Sequence, residues 1–409
     1  MNKKHLTSEI KGLKYFDPLI KLLRGLHLDG CQRDKAGNRK LHYDQYCMLL
    51  LLSYFNPMAR SIRALVKTSK IAKIQKKLGC ASSSLGSFSE AAGVFDPELI
   101  KRVASQLALQ VKPFQNVGKG HVGKKLIAVD GTILRTLKSI TEASYLTDKN
   151  GDSHCAWRMH TQFEIDASVP VRIDVTSAAN SGKTDEKNVL RNKLQSERCY
   201  VMDRWYAQFS LFNDIVAKGS SYVCRLRDNS NLSAVSEERT VSPDAAHAGV
   251  LRDFIVDLGV DRKADERPNH QVRVILVEGE PHTKRGGRKG KTAGPASDGI
   301  VRIATDMLDV PAEVIADIYR NRWSIEVFFR MFKHVLGCRH QLSQKPAGIE
   351  IQAYCAIIAC MLIVIWTGRK PTQRTFEMVG WYMMGIASAK ELTEDIESLK
   401  KQPVSKTPE

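Results

Sequence analysis

Acidic residues are in short supply: 44 Asp plus Glu face 62 Lys plus Arg in 409 residues, leaving a formal net charge of +18. A surplus of that size excludes an acidic solvating protein and attracts polyanions, of which nucleic acid is the commonest large one. Long apolar runs are also wanting. The longest, AYCAIIACMLIVIW (353–366), falls short of the roughly 18 residues a membrane span needs, so it reads as a buried helix. The first residues, MNKKHLTSEIKGLK, carry lysines without an apolar stretch, and no secretory signal is read there. None of the nine cysteines belongs to a C-x-x-C pair, and Cys355 and Cys360 sit inside the apolar run. That is reduced, cytoplasmic usage and speaks against a disulfide framework or a structural zinc site. With 43% hydrophobic and 26% charged residues, the composition is that of a globular protein and excludes wholesale disorder. The length suggests two or three domains, because single cores rarely grow past roughly 250–300 residues.

Residues 1–115 read as a helical domain: YDQYCMLLLLSYF (43–55), SIRALVKTSKIAKIQKKLG (61–79) and DPELIKRVASQLALQV (96–111) have helical periodicity between Gly, Pro and Ser breaks. Arg63, Lys67, Lys70, Lys73, Lys76 and Lys77 crowd the second segment, with Thr68-Ser69 as a break. That pattern fits a helix-turn-helix only weakly, and a solvated lysine face accounts for it better. From about Lys124 the character turns to α/β. The order is strand, strand, strand, helix, strand, helix, strand, through KLIAVDGT (125–132), RMHTQFEIDAS (158–168), VPVRIDVTSA (169–178), a helix at 185–195, RCYVMDR (198–204), a helix at 206–219 and SYVCRLRD (221–228). These fall in a segment 116–228. Residues 229–308 form a β-rich insertion around 250–259, 271–280 and 299–307, with a basic glycine-containing loop at 282–294 that suits a phosphate-contacting arm or a plain linker. The segment 309–370 opens with one long amphipathic helix over 310–337 and closes with the apolar helix; 371–409 is a helical, polar tail.

Three carboxylates stand out. Asp130 and Asp203 each end an apolar strand run, at the sheet edge where open α/β sheets hold ligands, although an aspartate there also serves as a turn or cap residue. Glu326 shares a helix with Tyr319, Arg322 and Lys333 at offsets 0, 3, 7 and 14, which project within about 100° of one another at 3.6 residues per turn. One acid, two cations and a phenol on one stripe suit a site that holds a metal and grips phosphates, and also a solvent-facing helix with an i,i+4 ion pair.

The run YRNRWSIEVFFRMFK (319–333) matches the Y-x2-R-x3-E-x6-K signature and so resembles the insertion-sequence-4 type of bacterial DDE transposases. AVD130GT and YVMD203R look like that family's two catalytic-aspartate segments in the right order, and the resemblance extends over roughly 40–370. It implies an RNase H-like catalytic core with a β-rich insertion subdomain, an N-terminal all-helical domain that binds DNA ends and a helical C-terminal segment. It further implies that Asp130, Asp203 and Glu326 are catalytic and ligate two Mg²⁺ or Mn²⁺ ions. Tyr319, Arg322, Lys333, Trp323 and Arg204 would contact DNA. The implied reaction is cutting at terminal inverted repeats and joining of 3′-hydroxyl ends to target DNA, through a hairpin, by a homodimer on paired ends in the bacterial cytoplasm. The rival readings are a non-catalytic transposase-derived DNA-binding protein and another RNase H-like nuclease. Trp323 and Trp205 suit either a stacking platform for a flipped base or core packing, and His160 lies on the second strand within reach of the site or as a structural residue. The chain departs from the family at Thr305-Asp306, where asparagine is usual, and at Asp203-Arg204-Trp205-Tyr206, where glycine is usual third.

Overall fold

A computed structural model of the chain describes residues 16–29, 40–55, 61–78, 81–118, 120–136, 144–147, 153–179, 182–279, 298–334, 342–343, 345–369 and 372–401. The described chain has only helices as far as residue 108: α1 (Phe16–Asp29), α2 (Tyr43–Phe55), α3 (Ile62–Thr68), α4 (Ala72–Leu78), α5 (Leu85–Val94) and α6 (Pro97–Ala108). Of these, α1 and α5 have no counterpart in the sequence reading. The break at Thr68-Ser69 is present, with the Ser69 N–H closing α3 on Leu65 O and the Ser69 carbonyl accepting from Gln75 Nε2. Arg63, Lys67, Lys70 and Lys76 are exposed. Asp96 caps the start of α6, with Pro97 at its first position, as expected of that pair of residues.

A mixed ten-stranded sheet follows. Its first part runs β1 (Lys125–Thr136), β2 (Ser144–Thr147), β3 (Ser153–Glu164), β4 (Val169–Ser177), α7 (Glu186–Arg191), β5 (Arg198–Met202), α8 (Phe209–Ala217) and β6 (Ser221–Arg225). This is the expected order with a short β2 added. β3 lies antiparallel between β1 and β4, whereas β1, β5 and β6 are parallel neighbours. β5 and β6 are buried on both faces, which accounts for apolar sequences that do not alternate. The strands between 229 and 308 continue the same sheet: β7 (Val235–Arg239), then, after the short α9 (Pro243–His247), β8 (Val250–Val256), β9 (Val272–Glu278) and β10 (Ile300–Thr305). They are antiparallel, and β10 pairs with β6. β7, absent from the sequence reading, is the charged, largely exposed sheet edge. The basic loop 282–294 lies outside the described residues.

The single helix expected over 310–337 is instead two, α10 (Ala312–Asn321) and α11 (Ser324–His334). Between them Arg322 N, Trp323 N and Ile325 N bond three residues back, to Tyr319 O, Arg320 O and Arg322 O. Ser324 Oγ donates to Asn321 O and Asn321 Nδ2 to Asp317 O. Short polar side chains competing for helical carbonyls, together with this tightened turn, interrupt the regular helix.

Then come α12 (Pro346–Thr367), α13 (Gln373–Met384) and α14 (Ala389–Lys401). By length and composition α12 could cross a membrane, but 89% of its most apolar window is buried inside the protein. It is apolar all round because it is surrounded. Gly368, at φ 67°, ends it in the left-handed region. Tyr354 on α12 donates to Ile173 O and accepts from Ile173 N, covering the outer edge of β4. One apolar cluster joins the N-terminal helices, α10 to α14 and one face of the sheet, while a second, around Val129, Tyr200, Phe212 and Phe254, fills the other face.

Candidate active site

Alternation along β1 sends Ala128, Asp130 and Thr132 to the face covered by α11, and Ile127, Val129 and Gly131 to the opposite face. The strand does not end at Asp130, as the sequence reading expects. β1 runs on to Thr136, and what stops is its parallel pairing with β5, whose last pair is Val129 with Met202. Asp130 and Asp203 are the next residues along the two strands, so the two acids stand together where β5 stops. Asp203 Oδ1 accepts from Trp205 N at 2.8 Å, the bond of a turn aspartate, whereas Asp130 Oδ1, inside the strand, accepts from the adjacent Gly131 N at 2.7 Å.

Glu326 and Arg322 come to this edge from the interrupted helix. Arg322 Nη2 donates to Glu326 Oε1 at 2.6 Å, and Arg322 Nη1 lies 3.6 Å from Asp130 Oδ2. The guanidinium thus bridges an acid on β1 and one on α11. The site is only partly open, with the side chains of Asp130 and Glu326 24% and 29% exposed and that of Arg322 13%. Burial pushes the Asp130 carboxyl up to about 7, helped by the negative charges of Asp203 and Glu186 and partly offset by Arg322 and the Gly131 N–H. Burial works against the Arg322 charge, yet Tyr319, Glu326 and Asp130 outweigh it and raise its pKa. Tyr319 is half-buried, its phenol raised by burial and partly offset by the charges of Arg322 and Arg225. Lys333 donates from Nζ to Thr132 Oγ1, two residues along β1 from Asp130.

The remaining sequence candidates divide. Arg204 is paired at 3.3 Å with Asp228, which Arg225 also holds at 3.2 Å. Trp205 and Trp323 are 45% and 44% exposed, which removes core packing as their role. The Lys187 ammonium sits 4.5 Å from the Trp205 ring centre. His160 does not join the acids. It is paired with Gly131, faces the other side of the sheet, and shares a hydrogen bond of 2.8 Å between its Nε2 and Thr176 Oγ1. Burial and the neighbouring Arg158 depress its pKa to about 4. Asp306, at one departure from the family pattern, accepts from Tyr222 N at 2.9 Å at the start of β6, the end of the sheet away from Asp203.

Sequence reading passed over Glu186, which it placed only within a helix. This buried carboxylate receives Arg158 Nη1 and, at 3.1 Å, the hydroxyl of Tyr206. Nothing in its local pattern separates it from any acid in a helical first turn.

Two Asp and one Glu are hard oxygen donors of the kind Mg²⁺ or Mn²⁺ takes. The raised Asp130 is a carboxyl that a nearby cation would return to its charged form. As the side chains stand, no three His, Cys, Asp or Glu among the described residues converge closely enough to hold an ion. Arg322 fills the space between Asp130 and Glu326. The donor set fits a divalent ion, and the guanidinium must give way for all three acids to share one.

The fold and site define a class: an α/β protein in which acids from two neighbouring parallel strands and a helix lie near one another where the strand pairing stops, beside Arg322 and Lys333. The chain belongs to the transposase DDE domain family, which matches it over residues 121–362, more than half its length and all the site residues above. It is 24% identical over 208 residues to a protein of Sinorhizobium fredii named as the transposase y4zB, covering 51% of this chain and 52% of that one. It is 24% identical over 242 residues to a Geobacillus stearothermophilus protein named as a transposase for insertion sequence element IS5377, covering 59% and 56%. The chain thus spans about half the length of these relatives. A distant structural likeness, at TM-score 0.42 and 9% identity, covers 98% of this chain and 87% of a piggyBac transposase in a synaptic complex with hairpin DNA.

Proposed function

We propose that this protein is the transposase of a bacterial insertion sequence, which binds the element's terminal inverted repeats, cuts DNA there and joins the 3′-hydroxyl ends to target DNA. The observation that carries the reading is the meeting of Asp130 on β1, Arg322 in the turn before α11 and Glu326 on α11, with Asp203 at the end of the neighbouring strand β5. The family membership and the excess of positive charge support it. The order β4–β3–β1–β5–β6, three antiparallel strands followed by two parallel ones, supports an RNase H-like core extended by the insertion strands.

In this reading Asp130, Asp203 and Glu326 hold two divalent ions, Mg²⁺ or Mn²⁺, whose chemistry when bound is Lewis-acid assistance to in-line phosphodiester displacement. Arg322 turns from the two carboxylates to a phosphate oxygen of the DNA end, for which its planar fork is suited. Lys333 and Tyr319 flank it as further phosphate contacts, and Arg204 extends the cationic edge. Trp323 and Trp205 offer exposed rings on which a base unstacked at a hairpin end can rest. Two copies of the chain act on two ends.

The test is incubation of purified protein with a labelled duplex from the element's own flanks, in Mg²⁺ or EDTA, with products resolved on a denaturing gel. Mg²⁺-dependent nicks at the element boundary are expected. They should vanish in Asp130→Ala and in Glu326→Gln, with end binding by Glu326→Gln held within a few fold. Cleavage retained by Glu326→Gln would refute the assignment, and end binding without cleavage in any divalent metal would favour a non-catalytic DNA-binding protein.

A further inference from the structure

Behind the sheet edge that carries the acids, on its opposite face, the two aspartate segments meet one buried side chain. Gly131 directly follows Asp130 on β1, and a Cβ built there would lie 3.0 Å from Glu186 Cδ and 3.1 Å from each of its carboxylate oxygens. Tyr206 follows Asp203 by three residues, is 1% exposed, and donates its hydroxyl to Glu186 Oε2 at 3.1 Å. The Tyr206 N–H in turn bonds to Asp203 O at 3.1 Å, so the turn that begins at Asp203 is closed on the residue Glu186 holds. The opposite carboxylate oxygen takes Arg158 from β3, whose Cα partner on β1 is Ile133. Glu186 itself is 7% exposed at the first turn of α7, where Asp185 caps the Lys187 amide.

A buried carboxylate is costly to keep unless its charge and lone pairs are matched, and here Arg158 and Tyr206 match them while Gly131 leaves room, so one group touches three strands or their extensions. We infer that Glu186 is a positioning residue: seated against the bare Cα of Gly131 and bonded to Tyr206, it sets Asp130 and Asp203 at a fixed separation. Glycine at 131 suits that seat, because a Cβ there would crowd the carboxylate at 3.0–3.1 Å and press it back by a few tenths of an ångström. The role rests on the reading of Asp130 and Asp203 as metal ligands, and it predicts that loosening Glu186 weakens ion binding without touching the ions' own donors. Residues that hold ligands in place from behind typically alter metal affinity by about 10–100-fold.

Three proteins decide the matter: the parent, Tyr206→Phe, which deletes only the hydroxyl link, and Glu186→Gln, which keeps shape and one acceptor. Binding of Mn²⁺ is read from the free-ion electron paramagnetic resonance signal, and exchange of backbone amides for deuterium is read on the ion-free proteins. The expected result is Mn²⁺ affinity about tenfold weaker in both variants, with unchanged binding to a duplex from the element's end. Exchange should quicken at 128–132 and 203–207 together and stay unchanged in α5 and α6. Parental exchange at those two segments in both variants, or faster exchange confined to α7, overturns the positioning role. If the segments loosen together but the parent binds no Mn²⁺ that Asp130→Ala or Asp203→Ala removes, Glu186 does couple the segments and it is the metal-ligand reading that fails.

Discussion

Two arginines in this protein meet carboxylates in opposite ways. Arg273 on β9 grips Asp253 on β8 with two hydrogen bonds of 2.8 and 2.7 Å, both side chains about 5% exposed or less. Its other nitrogen donates to the carbonyls of Met307, Leu308 and Val310, fastening the loop that leads into α10. Each donor and acceptor oxygen named there has a partner, which is what a buried ion pair needs to be tolerated. Arg322 instead spans two acids on different elements, one at 3.6 Å, both about a quarter exposed, with Asp130 pushed up to about 7 chiefly by burial. The same residue types are saturated in one place and left partly unsatisfied in the other. The first arrangement locks a loop, and the second leaves a guanidinium held at a partly open site by one short contact and one long one.

The contrast is broken if the two arginines respond alike to truncation. Arg273→Ala strands a buried carboxylate and three carbonyls, and should cost about 3–5 kcal/mol in urea unfolding. Arg322→Ala leaves acids that water reaches, and should cost only about 1 kcal/mol. It should nonetheless weaken binding to the element's end and flatten its salt dependence, measured by titrating a labelled duplex from 50 to 200 mM salt, because each neutralised phosphate contributes to the slope. An unchanged slope would make Arg322 as structural as Arg273.

The pH dependence sharpens the same point. Asp130 binds its proton more tightly folded than unfolded, since its folded pKa lies near 7 against an ordinary 3.8. Stability linked to this group is therefore present below about pH 4 and lost as pH rises toward 7, by an amount on the order of 4 kcal/mol. Urea titrations in EDTA should show that fall, and Asp130→Asn should abolish it. Added Mg²⁺ should stabilise the parent more at pH 8 than at pH 5, and equal stabilisation at both would count against Asp130 as a ligand. The smallest effect is expected of Arg204→Ala. Its pair with Asp228 is exposed, so unfolding should change by less than about 0.5 kcal/mol, while the salt slope of DNA binding falls by about one contact.

Much of the α/β order was legible because it is local. Apolar β-branched runs such as KLIAV, RCYVM and SYVCR mark buried strands without reference to anything distant. The strands that escaped, β2 and β7, are short or charged and exist through pairing with β3 and β8. The projection of Tyr319, Arg322, Glu326 and Lys333 onto one stripe assumed a continuous helix. The turn at Arg322-Trp323 interrupts it, yet Arg322 still reaches Glu326 because their i,i+4 spacing spans that turn. Glu186 was out of reach of sequence reasoning, since its partners Arg158, Tyr206 and Gly131 come from three other places in the chain.

By itself the sequence determined the charge surplus, the residue types at 130, 203, 319, 322, 326 and 333, the alternation of strand and helix, and the apolar character of α12. All of these depend on side chains and near-neighbour spacing. Tertiary structure alone decided that the insertion strands extend one sheet and that α12 is enclosed by protein. It also decided that Asp130 meets Arg322 and that His160 turns away from the acids while Glu186 backs them. Those outcomes depend on which strand face each residue takes and on what packs against it, and burial and charge proximity then set how the acids titrate.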